Sequence, residues 1–240
     1  MIEKALRYVV GLRQPQIETI DGITYCDKDL SPVFAPRQSA VDTKSLLSVV
    51  DYIKANIDGC ILGTERVVIH IKDYQSVNVM SESLIDSKER EQFIHAKAEL
   101  PAFRFGNFYT AEEFNILMQS VFIENDDAEI LLKVVGNLKD SAVKAIGDDG
   151  VSQSVTMKVG ISTVADVKVP NPVSLMPYRT FIEVDQPESK FIFRMREGGM
   201  CALFEADGGA WKRNAVIKIK EYFEFELAAQ IDAGNVIILA

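Results

Sequence analysis

The spacing of apolar residues changes from a helical period to a strand period along the second half of the chain. Between residues 110 and 138, apolar side chains recur every three to four positions, which is typical of amphipathic helices. Further on, Val155, Met157 and Val159 alternate with polar residues, which is typical of strands. We therefore predict an α+β fold with mixed antiparallel sheets, about four helices and a strand-rich C-terminal half.

Four segments are predicted to be helices. The clearest begins at Thr110, where Thr110 and Glu113 form a capping box that satisfies two backbone N–H groups at the helix start. The helix after Asp126 and Asp127 has apolar residues around so much of its circumference that we expect it to be central. The four apolar sets are Leu46, Leu47, Val50, Ile53 and Ile57; Phe114, Leu117, Met118, Val121 and Phe122; Ile130, Leu131, Leu132, Val134, Val135 and Leu138; and Trp211, Val216, Ile219 and Phe223.

Several shorter segments are assigned as strands or loops. Val67–Ile71 and Val77–Val79 alternate as strands, whereas the polar segment 81–90 is predicted to be a loop and 93–100 is ambiguous between strand and helix. Proline donates no ladder hydrogen bond, so we expect 169–173 and 176–178 not to form central strands. Residues 148–150, Asp-Asp-Gly, are expected to form a turn.

A β-hairpin is predicted at residues 190–205, turned at Gly198-Gly199. We expect Arg194 and Glu205 to be cross-strand neighbours, because opposite charges stabilise such pairs. The charged residues around this hairpin are interpreted first as structural ion pairs, and a binding surface built on them is the functional alternative. This surface comprises Arg179, Arg194, Arg196, Glu205 and Asp207.

The two ends of the chain are apolar. Residues 1–40 form a predicted N-terminal arm, with a helical start and a hairpin signal at Asp21-Gly22, and residues 41–240 form one domain with a possible sub-boundary near 140–150. The C-terminal segment Val236–Leu239 is expected to dock as a strand. An apolar arm and an apolar terminal strand suit exchange between identical subunits, so we predict a homo-oligomer; packing of both ends within one monomer is the alternative.

Most catalytic and cofactor motifs are missing from the sequence. The chain has two histidines and three scattered cysteines, and it lacks phosphate-binding loops and a nucleophile elbow, so we predict neither an enzyme nor a cofactor. The pairs Asp148/Asp149 and Glu205/Asp207 are the only plausible metal-binding sites, and we expect no tightly bound metal ion. The net charge of −9 disfavours nucleic acid and anionic membranes, and we expect a cytoplasmic protein.

Four segments between residues 148 and 211 carry a family resemblance. They are residues 148–153, DDGVSQ; 169–173, VPNPV; 177–194, PYRTFIEVDQPESKFIFR; and 203–211, LFEADGGAW. The chain resembles uncharacterised phage and prophage proteins of Gram-positive bacteria and, more distantly, the YfdQ-like family of unknown function. This resemblance implies no catalytic residues, and it implies a gene in a phage early region near recombination functions.

These observations are compatible with three functions. The first is a non-catalytic phage accessory protein that self-associates and contacts a phage or host protein. The second is a capsid-like shell protein, which could be associated with a particle. The third is an enzyme or nucleic-acid-handling protein that uses the region of Arg179, Arg194 and Asp207.

Overall fold

A computed structural model describes the chain in eleven ranges, with gaps between them. These are residues 2–11, 15–20, 22–28, 39–61, 66–84, 89–136, 143–148, 153–159, 163–169, 171–196 and 198–240. The chain divides into two units, Met1–Arg37 and Gln38–Ala240, called here the N-terminal unit and the main unit. Asp149, Gly150 and Leu138 lie outside the described residues, as does part of the proposed sub-boundary near 140–150.

The N-terminal unit contains a helix and a hairpin. Helix α1 spans Ile2–Gly11, and strands β1 (Ile17–Ile20) and β2 (Ile23–Cys26) pair in antiparallel register with Ile20 opposite Ile23. Gly22 has a φ of 80°, as the predicted tight turn requires. Every described side chain of this unit is exposed except Lys28, which is half-buried.

The main unit contains the remaining elements, numbered on from those of the N-terminal unit. In chain order they are β3 (Val41–Thr43), α2 (Leu46–Lys54), β4 (Val67–Asp73), β5 (Ser76–Leu84), β6 (Arg90–Lys97), β7 (Tyr109–Thr110), α3 (Ala111–Val121), β8 (Phe122–Ile123), α4 (Asp126–Gly136), β9 (Val143–Asp148), β10 (Gln153–Val159), β11 (Thr163–Lys168), β12 (Val173–Pro177), β13 (Ser189–Arg196), β14 (Met200–Glu205), α5 (Ala210–Glu226), α6 (Ala228–Asp232) and β15 (Val236–Leu239).

Sheet A is mixed and has the strand order β15-β4-β5-β6-β3. β15 runs parallel to β4 and β3 runs parallel to β6, whereas β4, β5 and β6 are antiparallel neighbours. Helices α2 and α5 contribute buried residues to the same hydrophobic cluster as this sheet, among them Val50, Ile69, Ile219 and Phe223. The expected docking of the C-terminal strand is confirmed, and the strand docks on the chain's own sheet.

Sheet B is antiparallel and has the strand order β7-β14-β13-β12-β8. Its core is shared with α3 and α4 and includes Phe114, Leu131, Phe191 and Phe193. The capping box at Thr110 and Glu113 is present, as predicted. A third antiparallel sheet, sheet C, has the order β11-β10-β9. The α+β class is thereby confirmed, and the described residues contain six α-helices rather than about four.

Three of the local predictions are wrong. In the polar segment 81–90, residues 81–84 belong to β5 and Arg90 begins β6, whereas residues 85–88 lie outside the described residues. The Ser81 hydroxyl donates to the Ser83 carbonyl and accepts from the Glu91 backbone N–H. Met176 and Pro177 do lie in a strand, β12, which stands between β13 and β8 in the sheet, although these two residues pair with β8 alone. β12 pairs with β13 as far as Leu175 and with β8 at Met176 and Pro177, so the proline occupies the strand end.

Helix α4 is not central either. Ala128, Leu131, Val134 and Val135 are buried, but Glu129 and Lys133 are exposed and form an ion pair on the outer face. Ile130 and Leu132 are half-buried, which explains how an apolar composition this high fits a helix at the surface.

Candidate functional site

Arg179 is a buried arginine two residues after the end of β12, with 6% of its surface exposed. Its Nη1 donates to Glu205 Oε1 at 2.9 Å, and its Nη2 donates to the Pro187 carbonyl at 3.4 Å and to the Ser189 hydroxyl. Its guanidinium carbon lies 3.9 Å from the ring centre of Trp211. Arg179 therefore connects the end of β12 to β13, β14 and α5.

Burial and charge act on Arg179 in opposite directions. Removal from water lowers the pKa of the guanidinium to about 10, while the nearby carboxylates of Glu205 and Asp207 act to raise it. The Nε atom is buried and has no hydrogen-bond partner among the described residues. Leaving such a donor unpaired is unfavourable by about 1–3 kcal/mol.

Trp211 occupies the first turn of α5 and shares the carboxylate of Glu205 with Arg179. Its indole Nε1 donates to Glu205 Oε1 at 3.0 Å. Asp207 holds the start of the helix, because its two carboxylate oxygens accept from the backbone N–H groups of Gly209 and Trp211 at 3.0 and 3.3 Å. The Asp207-Gly208-Gly209 turn thus places the indole ring against the guanidinium.

A cleft of about 290 Å³ opens beside these residues. Its ring-bearing walls come from the turn after β4, the segment after β6, the end of β12 and the start of α5. Tyr74 meets Trp211 edge-on with ring centres 4.7 Å apart, and Lys212 Nζ lies 5.8 Å from the centres of both rings. The cleft is lined by Tyr74, Leu100, Pro101, Phe103, Phe105, Val121, Pro177, Tyr178, Arg179, Glu205, Trp211 and Lys212.

The five residues of the predicted binding surface do not form one surface. Glu205 pairs with Phe191 across the β13–β14 hairpin, and Arg194 pairs with Ala202, so the predicted neighbouring of Arg194 and Glu205 is wrong. The hairpin itself is confirmed. Side chains alternate across β13, so Arg194 and Arg196 lie on the face opposite to Phe191 and Phe193.

The two faces of the hairpin hold different groups. The Arg196 guanidinium carbon lies 3.8 Å from the ring centre of Phe108, on the same face as Arg194. Arg179 and Glu205 lie on the other face, where Arg179 is 5.4 Å from the ring centre of Phe191. The candidate site is therefore reduced to Arg179 and Glu205, with Asp207 supporting it from the helix start.

The segment 178–188 joins this site to sheet A. The Gln186 side chain accepts from the backbone N–H groups of Arg179 and Thr180 and donates to the carbonyls of Phe181 and Val184. The Thr180 hydroxyl donates to the Tyr74 carbonyl in the turn between β4 and β5. Phe181 and Val184 belong to the buried cluster of sheet A, so this segment anchors both sheets.

Glu183, in the same segment, caps a helix of the sheet A layer. Its Oε1 accepts from the Ser45 hydroxyl at 2.6 Å and from the Leu46 backbone N–H at 2.8 Å. A carboxylate is favoured at this position because the first N–H groups of α2 lack partners within the helix. Glu183 and Glu205 thus both make contacts that stabilise the fold.

Other chemistry in the described ranges is limited. Within them, no three side chains of His, Cys, Asp or Glu lie close enough together to hold a metal ion. Of the two candidate metal-binding pairs, Glu205 accepts a hydrogen bond from Arg179 and Asp207 accepts one from the Gly209 N–H. Asp149 of the other pair lies outside the described residues. In the same ranges, none of the helices has the length and apolar character needed to traverse a bilayer.

No protein-family model, curated protein or solved structure matches this chain.

Sequence reasoning assigned Trp211 to a buried helix stripe and did not include Tyr74, Phe105 or Lys212 in a site. Trp211 is the single tryptophan of the chain and lies two residues after an Asp-Gly-Gly turn, which is the local signal that could have drawn attention to it. Tyr74 and Phe105 are distant from it in sequence. Only the tertiary structure brings the three rings together.

Proposed function

We propose that this chain is a non-catalytic, phage-encoded accessory protein that acts as a homo-oligomer in the host cytoplasm. The phage origin rests on the resemblance of residues 148–211 described above. Self-association rests on one structural observation, which is the exposure of the N-terminal unit.

The N-terminal unit has regular secondary structure without a buried core among its described side chains. Ile2, Leu6, Tyr8 and Val9 of α1 are 79%, 59%, 70% and 58% exposed, and Ile17 and Ile20 of β1 are also more than half exposed. A ten-residue helix and a two-stranded hairpin are each marginal in water by themselves. Contact with another surface would remove these apolar groups from water and stabilise both elements.

A second copy of the chain is the proposed occupant of this surface. Ile2, Leu6 and Val9 recur at helical spacing, so α1 presents one apolar stripe. Two identical stripes can cover each other about a two-fold axis, which is the commonest symmetry of soluble oligomers. The C-terminal strand, by contrast, pairs with β4 of its own chain and gives no support to subunit exchange.

Light scattering coupled to size exclusion tests the proposal. The full chain should elute as a small closed oligomer, with a mass that is a multiple of 26.7 kDa. Leu6→Glu and Val9→Glu should shift the mass towards the monomer. Lys4→Glu introduces the same carboxylate at a charged position of α1 and should leave the oligomer intact.

Two results would contradict this function. A monomer of the unmodified chain at tens of micromolar would rule out self-association as the working state. Large particles in electron micrographs would favour the shell protein instead. The enzymatic or nucleic-acid alternative would use Arg179 and Arg194 together. These two residues lie on opposite faces of β13, so they do not form a shared site.

A further inference from the structure

The cleft beside Trp211 has the composition of a small-molecule site. Its volume of about 290 Å³ lies near the lower end of the range for ligand pockets. Tyr74, Phe103, Phe105, Tyr178 and Trp211 all contribute to its lining. Aromatic rings favour planar partners, which they contact by stacking or edge-to-face packing.

Three charged residues line the cleft, and one of the two cations has no paired carboxylate among the described residues. Arg179 and Glu205 are hydrogen-bonded to each other, so their charges compensate. Asp207 does not line the cleft; both its oxygens accept from the start of α5, and its negative charge acts on Arg179. Lys212 lines it and, among the described residues, has no carboxylate within ion-pair distance.

A buried donor lies next to these rings. Arg179 is more than nine-tenths buried, lines the cleft, and carries an Nε atom with no hydrogen-bond partner in the described part of the chain. The ammonium group of Lys212 places a positive charge at the cleft, although the chain as a whole has a net charge of −9. Such a local potential favours an anion over a cation of the same shape.

We infer that this cleft binds a small planar aromatic group that carries one negative charge. The ring packs against Trp211 and Tyr74, and the anionic group meets Lys212 at the rim. An aromatic carboxylate and a nucleoside monophosphate share this chemistry. The inference does not depend on self-association, because every group that it uses belongs to the main unit.

The single tryptophan makes the cleft directly observable. Because Trp211 is the only tryptophan in the chain, excitation at its absorption edge reports on this site alone. The full chain is titrated with sodium benzoate, benzyl alcohol and benzylammonium chloride at constant ionic strength. These probes share one ring and differ in charge. Uridine 5′-monophosphate is titrated in parallel to separate the nucleotide source from the carboxylate.

Benzoate should give a saturable change in fluorescence. A ligand of this size is expected to have a dissociation constant of about 1 mM. The dissociation constants of benzyl alcohol and benzylammonium should be at least about five-fold higher. Lys212→Met should weaken benzoate binding about five-fold and leave benzyl alcohol unchanged. Arg213→Met removes the same charge from the next, exposed position of α5 and should change neither.

Each possible outcome of these titrations either supports the inference or overturns it. Saturable binding of benzoate or of uridine 5′-monophosphate with loss in Lys212→Met supports the inference, and the tighter of the two identifies the source of the ligand. Equal affinity for all three ring probes would show an apolar cleft without a preference for anions and would overturn it. No saturable change with any probe, or an unchanged benzoate affinity in Lys212→Met, would overturn it as well.

Discussion

Arg179 and Trp211 share one acceptor, Glu205 Oε1, while the guanidinium carbon of Arg179 lies 3.9 Å from the centre of the indole ring. A cation at this distance from a tryptophan is attracted to the ring face. The pair joins the end of β12 to the start of α5, and therefore links the layer of sheet B to a helix that packs in the core of sheet A.

Replacing Arg179 with leucine should destabilise the main unit. Removal of one partner from a fully buried ion pair costs about 3–5 kcal/mol. Glu205 is partly exposed, so we expect a smaller loss of about 2–3 kcal/mol in the free energy of unfolding. Urea denaturation measures this loss. Arg213→Leu, at an exposed position of α5, should change stability by less than about 0.5 kcal/mol; equal losses in both variants would show that Arg179 is not a structural link.

The stripe of α3 that faces sheet B can be tested by a matched pair of truncations. Phe114 is fully buried between this helix and the sheet, whereas Ile116, two positions later, is 59% exposed. Phe114→Ala should lower the free energy of unfolding by about 3–5 kcal/mol because it leaves a cavity. Ile116→Ala should have little effect. A melting temperature that Phe114→Ala leaves unchanged would contradict the packing described for this helix.

Glu183 should stabilise α2 from outside the helix. Glu183→Ala removes the acceptor of the Leu46 N–H and of the Ser45 hydroxyl, and loss of such a cap costs about 1 kcal/mol. Hydrogen exchange should show the largest rise in rate at the first turn of α2. Asp185→Ala changes an exposed carboxylate in the same segment and serves as the control; the same rise in that variant would argue against specific capping.

The stability of the main unit should fall at alkaline pH because of Cys201. Burial raises the pKa of this thiol from 9.0 to about 12. Below pH 9 the thiol is protonated in both states, and between pH 9 and 12 only the unfolded state loses the proton. The free energy of unfolding should therefore decrease across this interval, by up to about 1.4 kcal/mol per pH unit from this group. In denaturation curves from pH 8 to pH 11, the stability difference between the unmodified chain and Cys201→Ala should shrink; a constant difference would contradict the assignment.

Local patterns predicted the elements whose signals lie within a few residues. The capping box at Thr110, the β1–β2 hairpin and the β13–β14 hairpin are each specified by neighbouring residues, and all three are present. The loop prediction failed for residues 81–84, because the Ser81 hydroxyl accepts a hydrogen bond from the Glu91 N–H of the neighbouring strand β6. Strand pairing of this kind cannot be read from composition.

Predicting the register of the β13–β14 hairpin and the residues of the candidate site would have required knowledge of the tertiary structure. Charge complementarity suggested Arg194 as the partner of Glu205, but the turn places Ala202 opposite Arg194. The partner of Glu205 is Arg179, 26 residues away, and the cleft adds Tyr74 from sheet A. Of the aromatic residues that line the cleft, Tyr178 and Trp211 lie near the predicted charged residues in sequence, whereas Tyr74, Phe103 and Phe105 are distant, so the cleft was not predictable.

β15 completes sheet A from the far end of the chain, where Val236 lies opposite Val67. During synthesis, β4 leaves the ribosome long before its parallel neighbour exists, and its outer edge stays open while all the residues of sheets B and C are translated. An open edge can pair with the wrong strand. Sheet A is therefore vulnerable until residues 236–239 emerge, and a premature stop before them would leave an aggregation-prone chain even though most of the apolar core had been made.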